Sequence, residues 1–117
     1  MSAQPGHPAV ELAAQAALGK KASDVVILDL RRFGIFTDFF LLASGTNQKQ
    51  ILAIADAIRD CLREHKLRPK HLEGYPRQEW VLLDYGDFVV HVFTPQTRAF
   101  YDLERLWAEA ARREVAG

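Results

Sequence analysis

Four side chains in this sequence are of the types that do chemistry together: Asp29, Asp84, Asp87 and His91. Carboxylates and an imidazole at one point hold a divalent metal or pass a proton as acid and base. Asp84 and Asp87 flank one short turn, so the chain itself makes them neighbours. Metal-dependent nucleotidyl transfer draws on a carboxylate pair at Asp-x-Asp spacing, because residues two apart on a strand project from one face. No Asp-x-Asp or Asp-x-Glu stands on any predicted strand, and Asp29 is alone in Ile27-Leu28-Asp29-Leu30. The expectation is turn and strand-end carboxylates, with no catalytic residue, no metal and no cofactor.

Other chemical motifs are sparser still. Ser44-Gly45-Thr46 falls between a predicted strand and a predicted helix, where a phosphate meets helix N–H groups, but neither Gly-x-x-x-x-Gly-Lys-Ser/Thr nor Gly-x-Gly-x-x-Gly is present. Gly45 as the turn and Asn47 as the cap account for it. His91 alternates with Val89 and Phe93 on one strand face, with no second His or Cys at metal-ligand spacing, which reads as a hydrogen-bonded structural histidine. His65 and His71 read as surface residues. Cys61 is the single cysteine, so no internal disulfide can form; a reducing, cytosolic setting fits.

The elements that carry these residues follow from periodicity. Ala9–Leu18 is alanine-rich and helix-prone, with Gly19 as its expected C-cap. Val25–Leu30 and Asp38–Ser44 are apolar without alternation, which predicts strands covered on both faces. Asn47 is an N-cap with Gln50 at capping-box spacing, and Ile51, Ile54, Ala55, Ile58 and Leu62 form one helical face that ends before Pro69. Lys70–Gly74 is a short edge strand. Glu79–Asp84 and Asp87–Phe93 make a hairpin about Tyr85-Gly86. Thr94-Pro95 opens a last helix, with Phe100, Leu103, Leu106, Trp107 and Ala110 as its apolar stripe. The fold class is mixed α/β, a sheet of about five strands flanked by helices, with residues 1–8 a disordered lead-in and residues 9–117 one domain.

The chain has 117 residues, enough for one core and too few for two. Hydrophobic residues are 49% and charged residues 26%, ordinary for a globular domain, which excludes a wholly disordered chain. No apolar run approaches a membrane span, and the first residues lack a signal-peptide pattern. Formal net charge is +0, so no strong overall field gathers nucleic acid. The neutrality is uneven: Arg59–Arg77 holds six basic and three acidic residues, whereas Glu79–Glu109 holds six acidic and two basic. An acidic surface carrying aromatics suits a basic protein partner. On the hairpin, Trp80, Leu82 and Asp84 point one way and Val81 and Leu83 the other. Trp80 is either an exposed interface anchor beside Tyr85 and Asp87, or packed under the terminal helix.

The string Trp80-Val81-Leu82-Leu83-Asp84-Tyr85-Gly86-Asp87-Phe88-Val89-Val90-His91-Val92-Phe93 closely resembles the ribosomal silencing factor family (RsfS, also called the Iojap family). So do Arg98-Ala99-Phe100-Tyr101-Asp102-Leu103-Glu104-Arg105-Leu106-Trp107, Lys20-Lys21-Ala22-Ser23-Asp24, Thr37-Asp38-Phe39-Phe40, Ala43-Ser44-Gly45-Thr46 and Ile54-Ala55-Asp56. The resemblance covers roughly residues 9–110. It implies a nucleotidyltransferase-like outline without the catalytic carboxylates, and a homodimeric, non-enzymatic factor. Such a factor binds the large ribosomal subunit through its fourteenth ribosomal protein and bars the small subunit from joining. Related organelle proteins are linked to large-subunit assembly.

Carried over by position, the implied partner-binding residues are Trp80, Tyr85 and Asp87. Asp84, His91, Arg98 and Tyr101 lie in the matching strings and complete the candidate set. Phe88 stands where many members have a smaller aliphatic residue, a departure that bears on local packing. The competing reading is an enzyme acting on nucleotides or RNA through Asp29, Asp84 and Asp87, or a large-subunit assembly factor sharing the same surface.

Overall fold

The computed structural model describes residues 7–116; the first six residues of the expected lead-in lie outside the described residues. Helix α1 (Pro8–Gly19) opens with proline at its first turn, and His7 caps it, its Nδ1 accepting the Ala9 N–H. Proline suits that position because its missing N–H has no helical partner anyway. Gly19 is still helical. It is Lys21, at φ 67°, that takes the left-handed turn, while the Ala22 N–H closes back onto the Ala17 carbonyl. The buried face of α1 is Ala9, Val10, Ala13, Ala14 and Ala17, small side chains that let it lie close against its neighbours.

Strand β1 (Ser23–Asp29) leads through a 3-10 turn at Arg31–Phe33 to β2 (Phe39–Ser44), then α2 (Gln48–Glu64). Asn47 Oδ1 accepts the Gln50 N–H at 2.8 Å. The Gln50 side chain reaches past the cap to accept the Thr46 N–H at 2.7 Å and donates to the Lys20 and Lys21 carbonyls, tying the end of α1 to the start of α2. The predicted stripe of Ile51, Ile54, Ala55, Ile58 and Leu62 is fully buried. Strands β3 (His71–Glu73), β4 (Trp80–Asp84) and β5 (Phe88–Phe93) follow, then short helices α3 (Pro95–Tyr101) and α4 (Leu103–Leu106). The chain ends in β6 (Ala111–Glu114).

The sheet has six strands in the order β3-β4-β5-β2-β1-β6, with β2 and β5 parallel and the other pairs antiparallel. Its two central strands, β2 and β5, are buried at every residue, which is why they show no alternation. Helices α1 and α2 cover one face, with Val25, Ile27, Phe39, Leu41, Val81, Leu83, Val90 and Val92 beneath them. The second face carries Val26, Leu28, Phe40, Leu42, Val89 and Phe93 under a thinner cover of Phe33, Trp80, Leu103 and Trp107.

The terminal helix differs from its expected form. It stops at Tyr101; Asp102 turns left-handed at φ 50°, and the chain restarts as α4 before folding into β6 along the edge of β1. Leu103, Trp107 and Ala110 pack on the second core, but Phe100 is 79% and Leu106 70% exposed. The break brings Trp107 against Phe33 and Phe40, at centroid distances of 5.6 and 6.3 Å, and lets β6 satisfy the backbone groups on the open edge of β1.

Candidate partner-binding face

Which way β4 faces fixes most of the candidate residues. Val81 and Leu83 are fully buried under the helices, and Trp80, Leu82 and Asp84 are half-buried on the opposite face. The antiparallel register sets Trp80 opposite Phe93, Leu82 opposite His91 and Asp84 opposite Val89. On the other side of β4, His71 lies opposite Asp84 and Glu73 opposite Leu82. Residues directly opposed share a face. This face therefore runs from an acidic margin at exposed Glu73 and half-buried Asp84 to Leu82 and Trp80.

Trp80 meets both descriptions that its position allows. Its indole leans on the Phe93 ring at 5.8 Å and on Tyr101, from the end of α3, at 4.6 Å. It nevertheless remains half-exposed. Its Nε1–H donates to His91 Nδ1 at 3.0 Å. His91 is 4% exposed, and burial pushes its pKa down to about 3, so the imidazole is neutral. An indole N–H can only donate, so Nδ1 is the bare nitrogen and Nε2 carries the proton. Tyr101 is 54% exposed and extends the aromatic surface outward.

The remaining candidates do not join this face. Tyr85 continues the inward parity of Val81 and Leu83, so it enters the helix-covered core: it is 9% exposed and stacks on Phe88 at 4.9 Å. The stack gives Phe88 its packing partner. The Tyr85 hydroxyl is buried with no partner among the described residues, and burial pushes its pKa up to about 12. Asp87 is exposed in the turn beyond Asp84, whose end of β4 is itself roughly 13 Å of strand from Trp80, with the His7 Nε2 at 3.6 Å. Gly86, at φ 90°, makes the turn between them, and Asp84 Oδ1 accepts the Gly86 N–H at 2.8 Å.

Arg98 and His91 are likewise buried. Arg98 is 9% exposed and donates from Nη1 to the Asp24 carbonyl at 2.7 Å and to Ser44 Oγ at 2.8 Å. Its Nε donates to Glu104 Oε1 at 2.9 Å, and that bond, helped by Arg112, holds the Glu104 pKa down at about 2. Arg98 thus pins α3 and α4 to the ends of β1 and β2. The Ser44-Gly45-Thr46 segment is absorbed by the same contacts and by Gln50; a Cβ on Gly45 would press on Ile51 at 3.0 Å.

Of the enzyme candidates, Asp29 stands apart from Asp84 and Asp87. Asp29 is held by Arg31, at 2.9 Å to Nε and 2.6 Å to Nη2, on the face opposite Asp84. Among the described residues, no three His, Cys, Asp or Glu side chains gather as a metal set. Cys61 is half-buried, and burial raises its thiol pKa. No helix among the described residues is long and apolar enough to cross a membrane. Two exposed residues of this region, Phe100 and Leu106, were missed by the periodicity, which counts them as core.

An aromatic pair lies on the thinly covered face, with carboxylates beside it. Known proteins share the chain's sequence and form. A family model described as ribosomal silencing factor during starvation matches residues 3–117. The ribosomal silencing factor of Halalkalibacterium halodurans is 43% identical over 108 residues, 92% of each chain. A crystal structure of a protein from Chromobacterium violaceum superposes with a TM-score of 0.83 at 32% identity, covering 93% of this chain and 91% of the other. A mouse protein named for mitochondrial assembly of the ribosomal large subunit is 29% identical over 91 residues, 75% of this chain and 40% of its own length. With the match running almost end to end in both sequence and fold, the chain belongs to the ribosomal silencing factor family.

Proposed function

We propose that this chain silences translation in the cytosol by binding the large ribosomal subunit through its fourteenth ribosomal protein and obstructing the small subunit. The half-exposed pair of Trp80 and Tyr101 supports the reading most directly. Large aromatics at 4.6 Å on the thinner side of the sheet are the kind of group that anchors an interface. Leu82 adds apolar area, and Asp84 and Glu73 give the margin the charge that suits a basic ribosomal protein. Asp87 acts as a rim contact. Arg98 holds α3, and with it Tyr101, in place, and Tyr85 contributes packing. The mechanism needs no reaction: a bound body occupies the docking space, and the block scales with occupancy, hence with affinity and concentration.

A homodimer belongs to the same reading, with Phe100 and Leu106 as the exposed apolar surface available to a second copy. Sedimentation equilibrium over a dilution series would reveal it as a concentration-dependent mass. The mouse relative's name favours a second reading, in which the same surface acts earlier, on an immature large subunit.

Co-sedimentation with separated large and small subunits tests the proposal. The protein is expected to travel with large subunits only, and Trp80→Ala is expected to weaken binding by about 2 kcal/mol, roughly 30-fold. A folded Trp80→Ala variant that co-sediments normally, or equal affinity for both subunits, would overturn it.

A further inference from the structure

His91 is a polar side chain in a position that packing alone would fill with carbon. It is 4% exposed, with Phe40 at 4.6 Å edge-on and Phe93 at 6.2 Å. Its strand neighbours on the same face are Val89 and Phe93, and across β2 it faces Leu42. Its Nε2 is buried without a partner among the described residues, a cost that an aliphatic or aromatic residue would not carry. Its one hydrogen bond among the described residues is from the Trp80 indole. That bond crosses the sheet: Leu82, not Trp80, is the residue opposite His91 in register, so the ring reaches diagonally along β4.

We propose that His91 is a positioning residue for partner binding. By accepting the Trp80 N–H from inside the sheet, it fixes the indole between Phe93 and Tyr101 and leaves only ring carbon for the partner. The inference rests on the docking role of Trp80. It adds that the partner group meeting Trp80 is apolar or cationic, because the indole's single polar atom is already engaged and a hydrogen-bond acceptor placed there would find no donor.

Four full-length variants test this against purified large ribosomal subunits: Trp80→Phe, His91→Phe, His91→Asn and the double variant Trp80→Phe with His91→Phe. His91→Phe keeps a flat ring, somewhat larger, and removes the acceptor; His91→Asn keeps an acceptor near the Nδ1 position. Affinity is expected to fall about tenfold in His91→Phe and to recover in His91→Asn. In the Trp80→Phe background, His91→Phe should add less than twofold. The Trp80 indole N–H proton resonance should move upfield in His91→Phe and return in His91→Asn. Equal losses from His91→Phe in both backgrounds, an unchanged affinity, or an unmoved resonance would overturn the positioning role. Failure of Trp80→Phe to weaken binding at all would instead strike at the docking reading, with the resonance still reporting on the His91 contact.

Discussion

Arg98 and Glu104, six residues apart on either side of the left-handed Asp102, close an ion pair at 2.9 Å that holds the break between α3 and α4. The same guanidinium reaches the Asp24 carbonyl and the Ser44 hydroxyl, so one side chain ties the end of the fold to its first two strands. Arg98→Met leaves Glu104 short of a partner and strips donors from both acceptors. Loss of one member of a largely buried pair costs about 3 kcal/mol. Urea unfolding should show the midpoint falling with little change in slope; a loss below about 1 kcal/mol would contradict the structural role.

Tyr85 offers the opposite test. Its hydroxyl is buried and lacks a partner among the described residues, so removing it removes a desolvation cost. Tyr85→Phe is expected to hold stability or raise it by about 1 kcal/mol, and to leave large-subunit affinity unchanged. A clear loss of affinity in a folded Tyr85→Phe variant would make it a partner contact.

Gly74 shapes the approach to Trp80. It sits at φ 88°, and a Cβ there would fall 1.9 Å from the Trp80 carbonyl oxygen. Gly74→Ala must push back the first residue of β4 as well as strain the backbone. A destabilisation of about 2 kcal/mol or more is expected, with a shift in Trp80 fluorescence. An alanine variant with native stability and spectrum would rule out the close approach.

Acid should weaken the fold in two stages. Burial lowers the His91 pKa from 6.5 to about 3, so the unfolded chain takes up a proton there before the folded one does. Its contribution is whole above about pH 6.5 and fades as pH falls towards 3. The Arg98 hydrogen bond lowers the Glu104 pKa from 4.5 to about 2, so that contribution is present above 4.5 and is lost on descent to 2. Stability measured by urea between pH 3 and 8 should decline below about 6.5 in the parent and flatten over that upper stage in His91→Phe. An equal decline in both would exclude His91 as the cause.

Local pattern carried much of the fold. The α2 stripe, the Asn47 cap and the hairpin about Gly86 are legible because periods of 3.6 and 2 and a glycine turn depend on near neighbours alone. The unalternating runs of β1 and β2 announced strands covered on both faces, and Val25–Leu28 and every residue of β2 are buried. The terminal stripe misled, since its periodicity continues through Asp102 while the backbone does not.

The candidate site divides along the same line. By itself the sequence determined which residues share parity: Trp80, Leu82 and Asp84 on one side, Val81 and Leu83 on the other. Only tertiary structure decided what each side meets. Placing α1 and α2 over one face sinks Tyr85 and leaves Trp80 at the thinner cover of α3 and α4. The addition of β6 to β1, the grip of Arg98 on Asp24 and the bond from Trp80 to His91 link residues far apart along the chain. Contacts of that kind leave no periodic trace, because they are set by where whole elements pack and not by the spacing of residues within one.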